Sequence, residues 1–242
     1  MSKTSARVLV VVPTYNERGN LPEVYQRVFK AVPRANLLIV DDNSPDGTGD
    51  LAESMAKRDK RVKVMHRGAK SGLGSAYVAG FQWALDHGYA SVVAMDADLS
   101  HDPSMIPKMI QLSKESDLVI GSRYVPGGGM VRWGLERFAI SRSANWFLKI
   151  LLGLREADCT GGFKCYSASL LRKIGMGNIF SPGYSFQVEI LFRAHRVGAR
   201  VREFPIVFVN RHEGESKLNL KEVTGFFKTV LWLRALAWAG KV

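Results

Sequence analysis

The amino-acid sequence predicts an α/β protein built on a mostly parallel, doubly wound sheet. Three observations predict it. Short β-branched runs alternate with segments of helical periodicity through residues 1–121, in the order β-α-β-α-β-α-β-α-β. The runs are apolar throughout, as strands covered by helices on both faces must be. Polar and acidic residues, rather than glycines, stand where three of the runs end. Right-handed crossovers then bring those three ends to one rim of the sheet, where open α/β sheets bind ligands.

Each element has its own justification. Residues 7–12 (RVLVVV) read as the first strand and stop at Pro13-Thr14-Tyr15-Asn16-Glu17. Asn20 is the expected cap of a helix over 20–31, with Pro22 in its first turn and Leu21, Val24 and Val28 facing inward. A second strand, 36–40, ends at Asp41-Asp42-Asn43-Ser44-Pro45-Asp46-Gly47-Thr48, and a helix follows to about 58. Residues 61–66 form a third strand, 68–74 a glycine-bearing loop and 75–87 a helix. The fourth strand, 91–95, stops on Asp96-Ala97-Asp98. Asp102-Pro103 then starts a helix over 103–115, because proline suits the first helical turn, and a strand at 117–121 closes the series.

Beyond residue 121 the alternation breaks. Residues 135–154 are predicted helical, with Phe138, Ala139, Trp146, Phe147, Ile150, Leu151 and Leu154 giving a wide apolar face among Arg137, Ser141, Arg142 and Lys149. Such a helix either packs on the sheet or lies in a membrane interface with its basic residues at the headgroups. Residues 199–209 read as a strand broken by Pro205, hence an edge or bent strand. A charged loop at 211–217 precedes a last helix, 220–238, whose aromatic and cationic residues suit an interface and whose charges argue against a span. A single domain over 1–242 is expected, with two chemically different halves.

Charge separates those halves. The formal net charge is +12, but residues 1–121 carry 15 Lys+Arg against 14 Asp+Glu, while residues 122–242 carry 19 against 8. The second half is therefore a cationic surface that attracts phosphates or an anionic membrane. It lacks any nucleic-acid reader motif, so nucleic acid is not an expected partner. Cys159 and Cys165 lack zinc-site spacing and read as reduced thiols. No apolar stretch of about 20 residues is present, so no membrane span is expected.

The chemistry concentrates on Asp96 and Asp98. Two carboxylates spaced i, i+2 at a strand end suit a hard divalent cation that also holds phosphates. The plainer alternative is that Ser100 or Asp102 caps the next helix and the two aspartates are ordinary loop residues. No Gly-X-Gly-X-X-Gly follows the first strand and no Gly-Lys-Ser/Thr loop exists, which removes support for dinucleotide-binding oxidoreductases and P-loop phosphotransferases. A carboxylate repels a bare phosphate, but it can bind a nucleoside or grip a metal that holds a diphosphate.

Pro13-Thr14-Tyr15-Asn16-Glu17, Asp41 through Thr48, Asp96-Ala97-Asp98 and Gly121-Ser122-Arg123-Tyr124, in this order, resemble the inverting nucleotide-sugar glycosyltransferases of family 2. Asp158 through Phe163, Gly183 through Gln187 and Arg211 through Lys217 extend the resemblance to the polyprenyl- and dolichyl-phosphate mannose synthases. It implies a GT-A fold and transfer of mannose from GDP-mannose to a polyprenyl (dolichyl) phosphate; the same chemistry with UDP-glucose is the nearest alternative. It implies donor binding by Pro13, Tyr15, Glu17, Val40, Asp42, Asp96, Ala97, Asp98, Arg211 and Lys217, with Asp98 the catalytic residue. The acceptor phosphate falls to Arg123, Arg137 and Ser141. Asp96 and Asp98 are the implied ligands of Mg²⁺ or Mn²⁺. Ser100, where some relatives place a third metal contact, is a short side chain that a water could replace. The resemblance further implies work at the cytoplasmic face of a membrane, through peripheral attachment or a membrane-anchoring partner subunit.

Overall fold

The computed structural model describes residues 7–69, 72–181, 183–210 and 220–240. Its centre is a seven-stranded sheet in the order β3-β2-β1-β4-β7-β5-β8. These strands are β1 (Val8–Thr14), β2 (Asn36–Asp41), β3 (Val62–His66), β4 (Ser91–Ala94), β5 (Leu118–Ser122), β7 (Lys164–Ser167) and β8 (Val201–Pro205). A two-stranded parallel ribbon joins β6 (Gly129–Val131) to β9 (Val207–Val209). The helices are α1 (Leu21–Ala31), α2 (Thr48–Arg58), α3 (Leu73–Asp86), α4 (Ile106–Leu112), α5 (Leu135–Leu152), α6 (Ala168–Ile174), α7 (Phe186–Arg196) and α8 (Leu220–Trp238).

Alternation along the strands builds two cores. Leu9 and Val11 of β1 face one side of the sheet, while Val10 and Val12 face the other. Helices α1, α2 and α4 cover the second side through Leu21, Val24, Ala52, Ile106 and Met109. The first side is filled by Tyr77 and Phe81 of α3, Phe186 and Ile190 of α7, and Leu148 of α5. Strands β2, β1 and β4 are parallel neighbours, with Pro13 opposite Val40 and Val11 opposite Ala94. Their carboxyl ends therefore lie side by side on one rim.

The structure adds β6, α6 and α7, for which the sequence carried no expectation, and departs from the expectation elsewhere. Strand β7 was not foreseen; it runs antiparallel between β4 and β5. It is short and carries Lys164, so it has no apolar signature. The segment 103–115 is a 3₁₀ turn at Pro103–Met105 followed by α4, because Pro107 has no N–H and the helix restarts around it. The broken strand at 199–209 divides between two sheets: β8 pairs with β5 at the sheet edge, and β9 pairs with β6. Between them Ile206 donates its N–H to Ser122 O and accepts from Gly129 N, each at 3.0 Å. Asn20 occupies the cap position of α1 without making a side-chain cap. Its Nδ2 instead donates to Glu17 Oε2 at 2.8 Å.

The two amphipathic helices are only partly absorbed by the core. From α5, Asn145, Leu148 and Leu152 are buried, and the helix stops at Gly153 in the left-handed conformation that a terminating glycine adopts without strain. Leu135, Ile140, Trp146 and Ile150 stay exposed. In α8, Val230 and Leu233 are buried, whereas Leu231, Trp232 and Trp238 are exposed. The helices meet through Phe147 and Phe227, whose ring centroids are 5.3 Å apart. Among the described residues no helix is long and apolar enough to cross a membrane.

Candidate active site

The first two rim loops are stitched together by short polar side chains. Asp41 accepts Thr14 Oγ1 at 3.0 Å and Ser44 Oγ at 2.6 Å. Asn16 N donates to Ser44 Oγ at 3.1 Å, and Glu17 N donates to Thr48 Oγ1 at 3.0 Å. Asp41 is thus committed to holding the loops, while Asp42 lies beside Arg67, with Nη1 2.9 Å from Oδ1 in an ion pair poorly aligned for a hydrogen bond. Tyr15 and Glu17 are partly exposed beside this pair's rim; Pro13 is buried. Val40 has no exposed surface, so it forms the floor of the rim. Ala97 is likewise buried.

The third loop presents the two metal-ligand candidates. Asp96 Oδ1 accepts the Tyr77 hydroxyl at 2.7 Å, and Asp98 Oδ1 accepts the Ser100 N–H at 3.0 Å. Both aspartates remain partly exposed. Burial, and then the Asp96 carboxylate, hold the Tyr77 hydroxyl well above its ordinary pKa, so it stays a donor. Leu99 between Asp98 and Ser100 has φ +61°, a left-handed conformation costly for a leucine. Asn16 and Asn43 hold the same conformation in the first two loops, at φ +60° and +58°. Ser100 itself is buried and serves Asp98 through its backbone.

His101 closes this corner from behind. Its Nδ1 accepts the Asp96 backbone N–H at 3.1 Å, which places the ring proton on Nε2. The 4.0 Å approach of Nδ1 to Asp96 Oδ2 is therefore not an ion pair. The imidazole stacks on Phe163 and meets Phe208 edge-on.

From His101 the aromatic contacts lead to the cationic half. Phe208 meets Trp133, and Trp133 lies under both Arg137, at 4.3 Å, and Arg123, at 5.4 Å. Ser141 Oγ accepts the Tyr124 hydroxyl at 2.7 Å. The structure thus brings Arg123, Arg137 and Ser141 together around Trp133 and Tyr124. Arg123 is built in: Nε and Nη2 each donate to Asp158 at 2.7 Å, and Nη2 also reaches Thr160 Oγ1 at 2.9 Å. Burial would raise Asp158, but the Arg123 guanidinium overrides it and holds the carboxyl below its ordinary range. Arg137 donates to Asn210 Oδ1 at 2.9 Å. Arg211 and Lys217 lie outside the described residues.

One loop ties the two clusters. At its start Asp158 holds Arg123. At its end a Cβ on Gly162 would stand 3.5 Å from Asp96 Oδ2. A cavity of about 10 Å³ lies there, lined by His101, Arg123, Gly162 and Phe208 among others. A larger groove of about 320 Å³ runs along α5 beside Arg142, Trp146 and Lys149.

The donor set fits a divalent cation bound together with a substrate diphosphate. Among the described residues no group of three or more His, Cys, Asp and Glu could enclose a metal. Two oriented carboxylates at an open rim suit a Mg²⁺- or Mn²⁺-like ion that takes its remaining ligands from phosphates and water.

Sequence reasoning missed Arg67, Tyr77, His101 and Trp133 as parts of this region, and it held Asp158 only as the first residue of a motif, without a role. Arg67 was within reach, since it follows the end of β3 on the same rim. The others depend on tertiary contacts that spacing does not reveal.

An α/β sheet with acidic loops on one rim is the architecture of GT-A glycosyltransferases. Glucosyl-3-phosphoglycerate synthase from Mycobacterium tuberculosis shares the fold: its complex with phosphoglyceric acid superposes with a TM-score of 0.70 at 19% identity, over 96% of this chain and 81% of that one. A complex of the same enzyme with Mn²⁺, UDP and glucosyl-3-phosphoglycerate gives 0.70 at 18% identity, over the same shares of the two chains. The glycosyl transferase family 2 model matches residues 9–175, and the chain belongs to that family. It is 47% identical to an undecaprenyl-phosphate mannosyltransferase of Micrococcus luteus over 235 residues, 97% of each chain. It is 45% identical to a polyprenol monophosphomannose synthase of Mycolicibacterium smegmatis over 235 residues, 95% of this chain and 88% of the relative.

Proposed function

We propose that this glycosyltransferase moves mannose from GDP-mannose to the phosphate of a long polyprenol, with inversion at the anomeric carbon. The names of the two relatives support the sugar and the acceptor class. The observation that carries the reading is the loop from Asp158 to Gly162, which holds Arg123 at one end and passes beside Asp96 at the other, where a Cβ on Gly162 would stand 3.5 Å from Asp96 Oδ2. A donor diphosphate held at the aspartates and an acceptor phosphate held at the arginines would meet across it.

In this scheme Tyr15, Glu17 and Asp42 line the nucleoside position over the floor made by Pro13 and Val40. Asp96 and Asp98 would hold Mg²⁺ or Mn²⁺, which when bound offsets charge building on the departing diphosphate. Arg137 and Ser141 orient the acceptor phosphate, with Arg123 fixed behind them by Asp158. An acceptor oxygen forms the new bond to the anomeric carbon from the face opposite the diphosphate. The carbon–oxygen bond to the diphosphate breaks, and its electron pair leaves with GDP. The acceptor is already an anion at neutral pH, so no side chain need remove a proton. The exposed apolar residues of α5 and α8 would sit against the lipid, with Arg142 and Lys149 at the headgroups, and the protein would work at the cytoplasmic face of a membrane by peripheral attachment or through an anchoring subunit.

A donor panel tests the assignment. With a polyprenyl phosphate acceptor, GDP-mannose is the expected substrate. Turnover of UDP-glucose but not GDP-mannose would reverse the donor assignment.

A further inference from the structure

Helix α7 begins with Phe186 and Gln187, and Gln187 is 4% exposed. Its Oε1 accepts from Lys164 Nζ at 3.1 Å, and the same ammonium donates to the Gln187 backbone carbonyl at 3.0 Å. Lys164 is fully buried on β7. Burial draws its pKa down to about 8, against the pull of Asp158, so it is still mostly an ammonium at neutral pH. An ammonium has donors only, so the amide bound to it must offer its oxygen there. The Gln187 NH₂ group is forced to the opposite side.

On that side Nε2 is buried and has no hydrogen-bond partner among the described residues. It lies at the Asp96 corner: a Cβ on Gly162 would stand 3.6 Å from Gln187 Nε2 and 3.5 Å from Asp96 Oδ2. The two polar atoms are therefore no further apart than those two distances together. A buried amide donor without an acceptor is costly, and an apolar residue would pack there without the cost. The orientation imposed by Lys164 and the missing acceptor together mark a position awaiting a ligand oxygen.

We propose that Gln187 Nε2 donates a hydrogen bond to a hydroxyl of the transferred hexose, and that Lys164 is the positioning residue that holds the amide in that orientation. The chemistry favours a hydroxyl over a phosphate oxygen. A hydroxyl accepts from Nε2 and can turn its proton toward the nearby Asp96 carboxylate, whereas the diphosphate oxygens have the cation at the two aspartates as their partner and carry no proton to give. This assignment rests on the reading of the rim as a nucleotide-sugar site.

The test compares binding of GDP-mannose with binding of GDP by calorimetry, on the full chain with Mn²⁺ present. Gln187→Leu is expected to weaken GDP-mannose about tenfold while leaving GDP within about twofold. Lys164→Met is expected to lose the same sugar-specific affinity. The double variant should lose no more than either single one, because both remove one interaction. Equal weakening of GDP and GDP-mannose, or no effect on either, in a Gln187→Leu protein of wild-type melting temperature would overturn the proposal and leave Nε2 to an ordered water. If the wild type prefers UDP-glucose, the donor assignment fails by itself and the same comparison is made with UDP-glucose and UDP. Failure of the wild type to bind any nucleotide sugar would sink both.

Discussion

Asp98 and Asp158 are both loop aspartates within the same site region, and they are held in opposite ways. Asp98 takes the N–H of Ser100 on one oxygen and stays partly exposed. Asp158 has no exposed surface and gathers the Arg123 guanidinium, the Arg123 and Gly161 backbone N–H groups and the Thr160 hydroxyl. The first arrangement orients a partly exposed carboxylate at the rim. The second uses a carboxylate to fix an arginine.

Removing Asp98 should separate the two roles most sharply. Asp98→Ala is expected to lower turnover by about 10²–10³-fold or more, with a melting temperature within about 2 °C of the wild type. Chelation of divalent ions should produce a similar loss that added Mn²⁺ restores. Full metal-dependent turnover by the variant would remove Asp98 from the chemistry.

Asp158→Asn should do the reverse. It leaves the Arg123 guanidinium buried without its counter-charge, at a cost of about 3–5 kcal/mol, or a fall of roughly 6–20 °C in melting temperature. The folded-state pKa of Asp158 is depressed, so its contribution is complete above the unfolded value of about 3.9 and is lost as pH falls through the lower folded value. The stability gap between variant and wild type should therefore hold at pH 7 and at pH 5 and narrow only below about 4. A gap that closes by pH 6 would show that another group carries it.

Arg137→Ala gives a smaller effect, confined to the acceptor. The KM for lipid phosphate should rise about tenfold, with GDP-mannose affinity unchanged. A matching loss in donor affinity would move Arg137 to the other side of the site. Asn20→Ala should change least. Without a side-chain cap to lose, the cost should stay at or below about 0.5 kcal/mol by denaturant titration, under the usual range for removing a capping side chain. A loss of about 1 kcal/mol would restore asparagine as the cap.

The rim was legible because its strands are apolar runs that end abruptly on polar residues, and parallel order alone places such ends together. Asp96 and Asp98 stood out for that reason. The acceptor cluster was legible only through resemblance, and its builders were hidden. Asp158 stands in the sequence only as part of a motif with no role of its own, and Lys164 looks like a surface residue, yet both are fully buried. Strand β7 escaped because Lys164 interrupts the pattern that marks a buried strand. The wide apolar face anticipated on 135–154 is present, but most of it points away from the core, which periodicity could not decide.

The insertion of β7 between β4 and β5 has a consequence for how the chain is made. Residues 1–122 contain β1 through β5, but β4 and β5 do not pair with each other; both pair with β7, whose first residue, Lys164, comes 70 residues after the end of β4 at Ala94 and 42 after the end of β5 at Ser122. A nascent chain that stops at 121 would leave both strands with unsatisfied ladders, open to association with other chains. The division at residue 121 is thus a boundary of chemistry alone: severing the polypeptide there should yield two fragments that need each other to become soluble.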